Sequence, residues 1–592
     1  MTAVLERGTA ASTRRPRSPA WVPTLSVAGG GATALGALLV VGFVVAGLAA
    51  GEVDWVRLLT TSGWDAPNGA YGVTAMLWGT VAVCVIALGL AVPVGWAAAT
   101  ALSEQLPPRL ARPLRTGVEL LAAVPSIVYG LVGVAVVRPF VSSAGDVPGG
   151  DSLLAAGLVL AVMVLPTIVA VSVDALAAVP AETREAALAL GLTRREVIRS
   201  AVLPLARPGM RAAVLLGLAR ALGETIAVFL VIGRADGRLP DPAGALSSLL
   251  APGQTLTTKL GGPEPVLAGA VGDHRAALSA VALLLLLAVA GATLAGSRRG
   301  RVRSGARIRR AGRYRLATDR TATWLRFAAV GLALALLVGM VALLLGRDGS
   351  AVSPAFWLTD ATGSSGGGVR GQIAGTILLV LAAAVVALPA GLGLGLLLGE
   401  YAGPRSTRAL RTATLTLGGV PTILLGLAGY AFFSTFLGWG KSWLAGALVL
   451  AIVAIPVVAL TTAARLDQHA PARREAALAL GLRRSQVVRS VLLPHARPAV
   501  LTGLLLGLAR AAGETAPLLF TATVFAGAAA VPTGIVQQPV QALPTHIFAL
   551  AQDAADPAAL ASAWGSAVVL VVLAGLLLLA AVPARRRLEA SS

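Results

Sequence analysis

Apolar stretches long enough to cross a bilayer, about 20 residues each, recur along this chain. They lie near 26–50, 75–102, 117–137, 152–173, 212–233 and 276–296, and again near 325–346, 371–399, 412–436, 443–463, 501–526 and 562–582. In hydrocarbon a main chain must satisfy its own N–H and C=O groups, and a lone segment does so only as a helix. The pattern therefore predicts an all-α polytopic membrane protein in two sets of six helices. With 56% of residues hydrophobic, the chain is too apolar for a soluble protein.

A formal charge of +21 raises nucleic acid as a partner, but the placement of the charge argues against it. With the N-terminus inside, the inner segments hold 37 of the 48 Lys and Arg. This is the positive-inside bias. It predicts a multi-pass protein of the plasma or inner membrane with both termini cytoplasmic. The run RRGRVRSGARIRRAGRYR at 298–315 then becomes an inner-face linker beside anionic membrane lipid. Cys84 is the only cysteine, so no intrachain disulfide and no cysteine-based metal site exists. The basic, then apolar N-terminus lacks a small-residue cleavage site and reads as an uncleaved first helix.

The two sets of helices are copies. Gly79–Thr80 answers Gly375–Thr376, Glu104 answers Glu400, and VPSIVYGL (124–131) answers VPTILLGL (420–427), all 296 apart. Beyond a shorter loop the offset is 290: Pro166 answers Pro456, and LGLARALGET (216–225) answers LGLARAAGET (506–515). Shared apolar composition does not place charges, prolines and glycines in the same order. The expected domains are an N-terminal tail (1–25), a first six-helix domain (26–297), a basic linker (298–323), a second six-helix domain (324–584) and a tail (585–592). Both copies start inside, so a pseudo-two-fold axis along the membrane normal should relate them.

EAALALGL occurs at 185–192 and at 475–482, each time between the fourth and fifth apolar spans. Its letters are strong helix formers. Pro180 and Pro471 mark expected helix starts, Gly191 and Gly481 expected ends, and Pro204 and Pro494 expected breaks before the fifth span. Glu185, Ala186 and Ala187, like Glu475, Ala476 and Ala477, offer small side chains and one charge to an approaching protein surface. A plain surface helix remains the alternative. The pattern, EAA with a glycine and then Leu-Pro downstream, resembles the coupling loop of ABC importer permeases. That resemblance implies docking of a homodimeric ATP-binding subunit, one loop per protomer. It also implies that ATP and Mg are used by that partner and that no cofactor is bound by this chain. GWGKS (438–442) lacks the first P-loop glycine, Thr435 standing there, so the permease is not expected to be an enzyme.

Arg220 with Glu224, and Arg510 with Glu514, put charge inside the fifth spans, and i, i+4 spacing predicts one helical face for each pair. Charges at bilayer depth line a bundle interior or an aqueous path; a self-neutralising pair that only orders packing is the alternative. The planar guanidinium suits an oxyanion. RALGET and RAAGET, with TLTTKL (255–260) and ALPTHIFALAQD (542–553), resemble the phosphate-specific (Pst) importer permeases, a PstC-type half followed by a PstA-type half. The resemblance covers about 30–590 and implies two type I, MetI-like domains. It also implies inorganic phosphate as substrate, an extracytoplasmic phosphate-binding protein on loops 51–74, 234–275, 347–370 and 527–561, and a substrate path through Arg220, Glu224, Thr225, Arg510, Glu514 and Thr515. Fusion of the halves departs from that family's usual separate chains. Another oxyanion importer (sulfate or molybdate), an ATP-independent transporter and a membrane sensor remain alternatives. Pro125 and Pro421 are expected to kink a third helix, Glu104 and Glu400 to be solvated caps, and His495 to be an exposed loop residue; His546 is not assigned a contact with the binding protein.

Overall fold

Segments that must satisfy their own main chain become helices, and helices dominate the computed structural model. It describes residues 21–241, 244–268, 272–297, 316–346, 353–362, 366–525 and 532–590. Among these, strands are confined to two short hairpins, Trp64–Asp65 with Ala70–Tyr71 and Ala361–Thr362 with Gly366–Gly367. The first half comprises α1 (Trp21–Leu48), α2 (Thr74–Gln105), α3 (Pro108–Ala122), α4 (Ser126–Gly145), α5 (Leu153–Ala177), α6 (Ala181–Ala189), α7 (Arg194–Gly223) and α8 (Gly272–Ser297). The second comprises α9 (Leu316–Gly346), α10 (Arg370–Tyr401), α11 (Pro404–Gly419), α12 (Thr422–Phe436), α13 (Trp443–Ala479), α14 (Arg484–Ala512) and α15 (Pro557–Ala590). Among the described residues, eleven helices are long and apolar enough to cross a membrane, and α11 with α12 makes a twelfth bent by 91°.

The bend corrects the third spans. Neither 117–137 nor 412–436 is one kinked helix. The chain breaks before Pro125 and Pro421, whose ψ angles of 139° and 128° are extended. Proline has no N–H to continue a helix and pushes its predecessor out of the helical region, as at Val420 (ψ 132°). The amphipathic α3 and α11 therefore lie apart from the apolar α4 and α12.

The fifth spans are displaced as well. Pro204 and Pro494 do not end a helix: α7 and α14 run through them. A π-turn precedes each, at Ile198–Val202 and Val488–Leu492. The wider turn relieves the crowding between the proline ring and the preceding carbonyls. The start expected at Pro471 is also absent, since α13 is continuous from Trp443 to Ala479. Element bounds differ from the expected ones at Trp21, at Leu316, which opens α9 inside the stretch read as linker, and at Ala590, where α15 ends. Residues 298–315 of that linker lie outside the described residues.

The halves exchange their first helices. The first-half helix α1 packs on α10, α11 and α12, and the second-half helix α9 packs on α2, α3 and α5. Glycine makes the first of these contacts close: a Cβ on Gly29 would stand 2.2 Å from the Leu394 nitrogen, and one on Gly393 would stand 2.0 Å from the Leu25 carbonyl oxygen. Small residues let membrane helices approach backbone to backbone. The repeated Gly-Thr pair does the same for a loop. Leu256 N–H donates to Thr80 Oγ1 (3.1 Å) and Leu543 N–H to Thr376 Oγ1 (2.9 Å). The neighbouring Gly79 and Gly375 have no room for a Cβ against the Gln254 and Gln541 carbonyl oxygens (2.1 and 1.9 Å). Thus α2 and α10 each grip a loop at the end opposite the octapeptide repeats.

Candidate functional site

A helix that reaches Gly223 or Gly513 stops there. Glu224 caps α7 with extended backbone (φ −75°, ψ 129°), and a new short helix starts at Ile226; α14 ends at Ala512 and resumes at Ala516. Arg220 and Glu224 therefore do not share a continuous helical face, nor do Arg510 and Glu514. Each Arg closes a helix and each Glu lies just past its end. Broken helices at membrane depth occur where the freed main chain lines a cavity or is buried in protein.

The two breaks are held together by a crossed contact. Gly513 of the second half faces Pro125 of the first, where an added Cβ would lie 2.8 Å from the Pro125 Cβ. Gly223 of the first half faces Pro421 of the second, with 3.7 Å to its Cα. Each GET break thus rests on the opposite half's VP break, and Phe229 meets Phe548 nearby (5.5 Å between centroids). As a result Arg220 comes within electrostatic reach of Arg510, Glu224 and Glu514, and Glu224 within reach of Glu514. Two cations and two carboxylates from both halves share one partly buried region. A lone charge at that depth costs about 3 kcal/mol, so their convergence needs mutual compensation or a ligand.

The partners differ between halves. Arg220 donates to Thr167 Oγ1 (3.0 Å), whose counterpart is Val457. Arg510 is exposed and makes a loose pair with Glu514 (3.5 Å). Glu224 accepts from the Ala227 N–H (3.3 Å) and bonds Ser126, the first residue of α4. The hydroxyls of Thr225 and Thr515 are buried and have no hydrogen-bond partner among the described residues. Buried polar groups are normally paired, so these two hydroxyls are exceptions at the breaks.

On the basic face the octapeptides fold alike. In each, an αL glycine (Gly191 φ +79°, Gly481 φ +80°) ends the helix. Leu192 N–H then bonds the Ala187 carbonyl and Leu482 N–H the Ala477 carbonyl, a Schellman closure. Glu185, Ala186, Glu475 and Ala476 face solvent while Ala187 and Ala477 are buried. Leu190 is 67% and Leu480 83% exposed, so each loop presents an uncovered leucine beside its acid.

Glu104 and Glu400 are not solvated caps. The Glu400 side chain is fully buried and takes Arg474 and Arg484; Glu104 pairs with Arg184 at 2.8 Å. Sequence reasoning missed these arginines, although REAA occurs at both 184–187 and 474–477. At the opposite face Lys259, buried, bonds Asp236 (3.0 Å) and Glu264 (2.9 Å), and His274 and Trp64 bond the same Glu264. Burial opposes the Glu264 charge, but these bonds prevail and hold its carboxyl below the usual range. Lys441, the lysine of GWGKS, donates to the Leu519 and Thr523 carbonyls instead of lying free. His495 is exposed, but on α14 instead of in a loop, with Nδ1 2.8 Å from the Val491 carbonyl oxygen. His546 is partly buried, and burial pushes its imidazole down to about 4.

Comparison with known proteins agrees with the duplication. The model of the binding-protein-dependent transport system inner membrane component matches twice, over residues 91–295 and 391–588. A probable ABC transporter permease protein YqgH of Bacillus subtilis is 39% identical over 203 residues, covering 33% of this chain and 66% of the relative. A phosphate transport system permease protein PstC of Mesorhizobium japonicum is 35% identical over 283 residues, 43% of this chain and 83% of the relative. PstC 1 of Mycobacterium tuberculosis is 42% identical over 202 residues, 31% of this chain and 60% of the relative. The PstC similarities fall on the first half.

Proposed function

The chain belongs to the binding-protein-dependent transport system inner membrane component family, and we propose that it forms the transmembrane path of an ATP-driven inorganic phosphate importer. The observation that carries this reading is the convergence of Arg220, Glu224, Arg510 and Glu514 where the two halves cross. A guanidinium binds a tetrahedral oxyanion through two oxygens at once. The unpartnered Thr225 and Thr515 hydroxyls add neutral donors. The carboxylates balance the arginines when no anion is present, which keeps the anion from being trapped.

The phosphate transport named for the PstC relatives supports the substrate, and the octapeptide loops support the partners. In this reading the loops face the cytoplasm. A homodimeric ATP-binding subunit (PstB-like) seats the exposed Leu190 and Leu480, with Glu185 and Glu475 at the rim. The second half plays the PstA part. An extracytoplasmic phosphate-binding protein (PstS-like) docks on the opposite loops. ATP binding draws the two loops together and shifts the population from inward- to outward-open; phosphate enters between the Arg/Glu pairs, and hydrolysis resets the path. ATP and Mg act in the partner, and this chain performs no covalent chemistry.

The test is uptake of labelled phosphate into proteoliposomes containing this chain, its ATPase and its binding protein, with excess sulfate and molybdate as competitors. Uptake that needs ATP and survives both competitors is expected. Uptake abolished by sulfate or molybdate would reassign the substrate, and uptake without ATP would reject the mechanism.

A further inference from the structure

The helices α2 and α10 touch the candidate machinery at both ends. One end holds Gly79–Thr80 or Gly375–Thr376, locked onto the loop opposite the octapeptides. The other ends in a π-turn, Ala101–Gln105 or Leu397–Tyr401, that carries Glu104 or Glu400. A π-turn is wider than an α-turn and re-aims the residues it contains. Here both carboxylates meet the octapeptide loop.

In the first half one guanidinium joins three elements. Arg184, the residue before Glu185, bonds Glu104 and also donates to the carbonyls of Leu176 (2.8 Å) and Val179 at the end of α5. In the second half the joint is doubled. Glu400 receives Arg474 from α13 and Arg484 from the start of α14. Arg484 also donates to the Glu400 main-chain oxygen and lies over the Tyr401 ring (5.4 Å). Position 105, the counterpart of Tyr401, is Gln; Arg194, like its counterpart Arg484, is exposed.

We infer that Glu104 and Glu400 are positioning residues that make α2 and α10 connecting rods: each carries displacement of an octapeptide loop across the molecule to the opposite loop. The inference rests on the reading that these loops dock an ATPase. A helix of 32 residues spans about 48 Å, enough to cross the bilayer as one element that stays continuous past its internal Pro93 or Pro389. The doubled joint makes α10 the tighter rod.

The test uses the reconstituted complex and two readouts. The first is phosphate taken up per ATP hydrolysed in Glu104→Gln, Glu400→Gln and the conservative Glu400→Asp. This ratio is expected to fall about threefold, at least about tenfold, and less than threefold, respectively. The second is the ATP-driven change in two spin-label distances, one between cysteines replacing Arg195 and Arg489 at the starts of α7 and α14 just past the octapeptides, the other between cysteines replacing Pro107 and Gly403 beyond the rods. With Glu104→Gln and Glu400→Gln combined, the loop distance should still change while the rod distance does not. If Glu400→Gln does not accumulate, Arg484→Gln, which leaves Glu400 paired with Arg474, decides with an expected fall of about threefold. A ratio within twofold of the unaltered chain, or both distances changing together in the double variant, overturns the inference. The distances need ATP and the ATPase but no phosphate, so a wrong substrate leaves that readout intact. An unaltered complex in which ATP changes neither distance would sink the docking reading, and this inference with it.

Discussion

The two GET breaks share letters but not surroundings. Arg220 is held by Thr167 and meets Glu224 across a break that also binds Ser126. Val457 stands at the position of Thr167 in the second half, and Arg510 makes a loose pair with its own glutamate. The crossed contacts differ likewise: Gly513 is tight against Pro125, whereas Gly223 has ordinary van der Waals room against Pro421. Duplication has therefore preserved the charges while letting their anchoring diverge. In the proposed path, an anchored Arg220 and a loosely paired Arg510 would let an anion pass from the second guanidinium to the first, which two identical sites would not favour.

Removing each cation in turn should separate the two breaks most. Charge-assisted hydrogen bonds contribute about 1.5–3 kcal/mol. Without the bidentate grip of the anchored site, Arg220→Gln should lower phosphate uptake at least about a hundredfold. Arg510→Gln, at the loosely paired site, should lower it about tenfold. Initial rates of labelled uptake, with the ATPase and binding protein present, measure both. Equal losses would mean the two cations act as one symmetric site.

The glycine contacts come next. In Gly513→Ala the new methyl meets the rigid Pro125 ring at 2.8 Å, and overpacking of this kind costs about 1–3 kcal/mol. Uptake should fall about thirtyfold. Gly223→Ala adds a methyl at 3.7 Å and should stay within about threefold. Similar losses in the two would show that the crossed contact is not what sets the geometry.

Smaller still is the effect of the anchor. Thr167→Val removes one hydrogen bond from Arg220, a group worth about 1.5 kcal/mol, and should raise the phosphate concentration for half-maximal uptake about tenfold. Val457→Thr offers Arg510 the missing hydroxyl and should change it less than threefold. If the Val457→Thr variant instead gains strongly, the divergence at this position is what keeps Arg510 loosely held.

Much of the molecule is legible in the letters. Hydropathy and the 296 and 290 offsets carry the helical class and the duplication, because charges and prolines in register cannot arise from apolar composition. The octapeptide's end is readable at Gly191 and Gly481, since only an αL residue closes the helix that way. The breaks are not. Pro125 and Pro204 look alike in a sequence, yet one interrupts the chain and the other sits inside a helix relieved by a π-turn. Nothing local distinguishes a wide turn from an ordinary one. The convergence of the two Arg/Glu pairs depends on Gly513 meeting Pro125 from the other half, a contact between residues 388 positions apart. Glu104 and Glu400 escape a sequence reading for the same reason: their partners Arg184 and Arg474 are brought to them only by tertiary packing.

In the octapeptide loops, by contrast, the halves should agree. Gly191 and Gly481 have φ values of +79° and +80°, and a Cβ on either meets nothing within 4 Å. Substitution by alanine therefore introduces no clash, only the strain of a left-handed L-residue, about 1 kcal/mol. That strain acts on the loop that presents Leu190 and Leu480. Titration of the ATP-binding subunit onto the chain in nanodiscs should show affinity reduced about fivefold by Gly191→Ala and by Gly481→Ala alike. Identical octapeptides and identical closures demand identical losses. An unequal pair would place the difference beyond the loops themselves, in their attachment: the single joint at Glu104 against the doubled one at Glu400, or the break at Pro180 against the continuous α13.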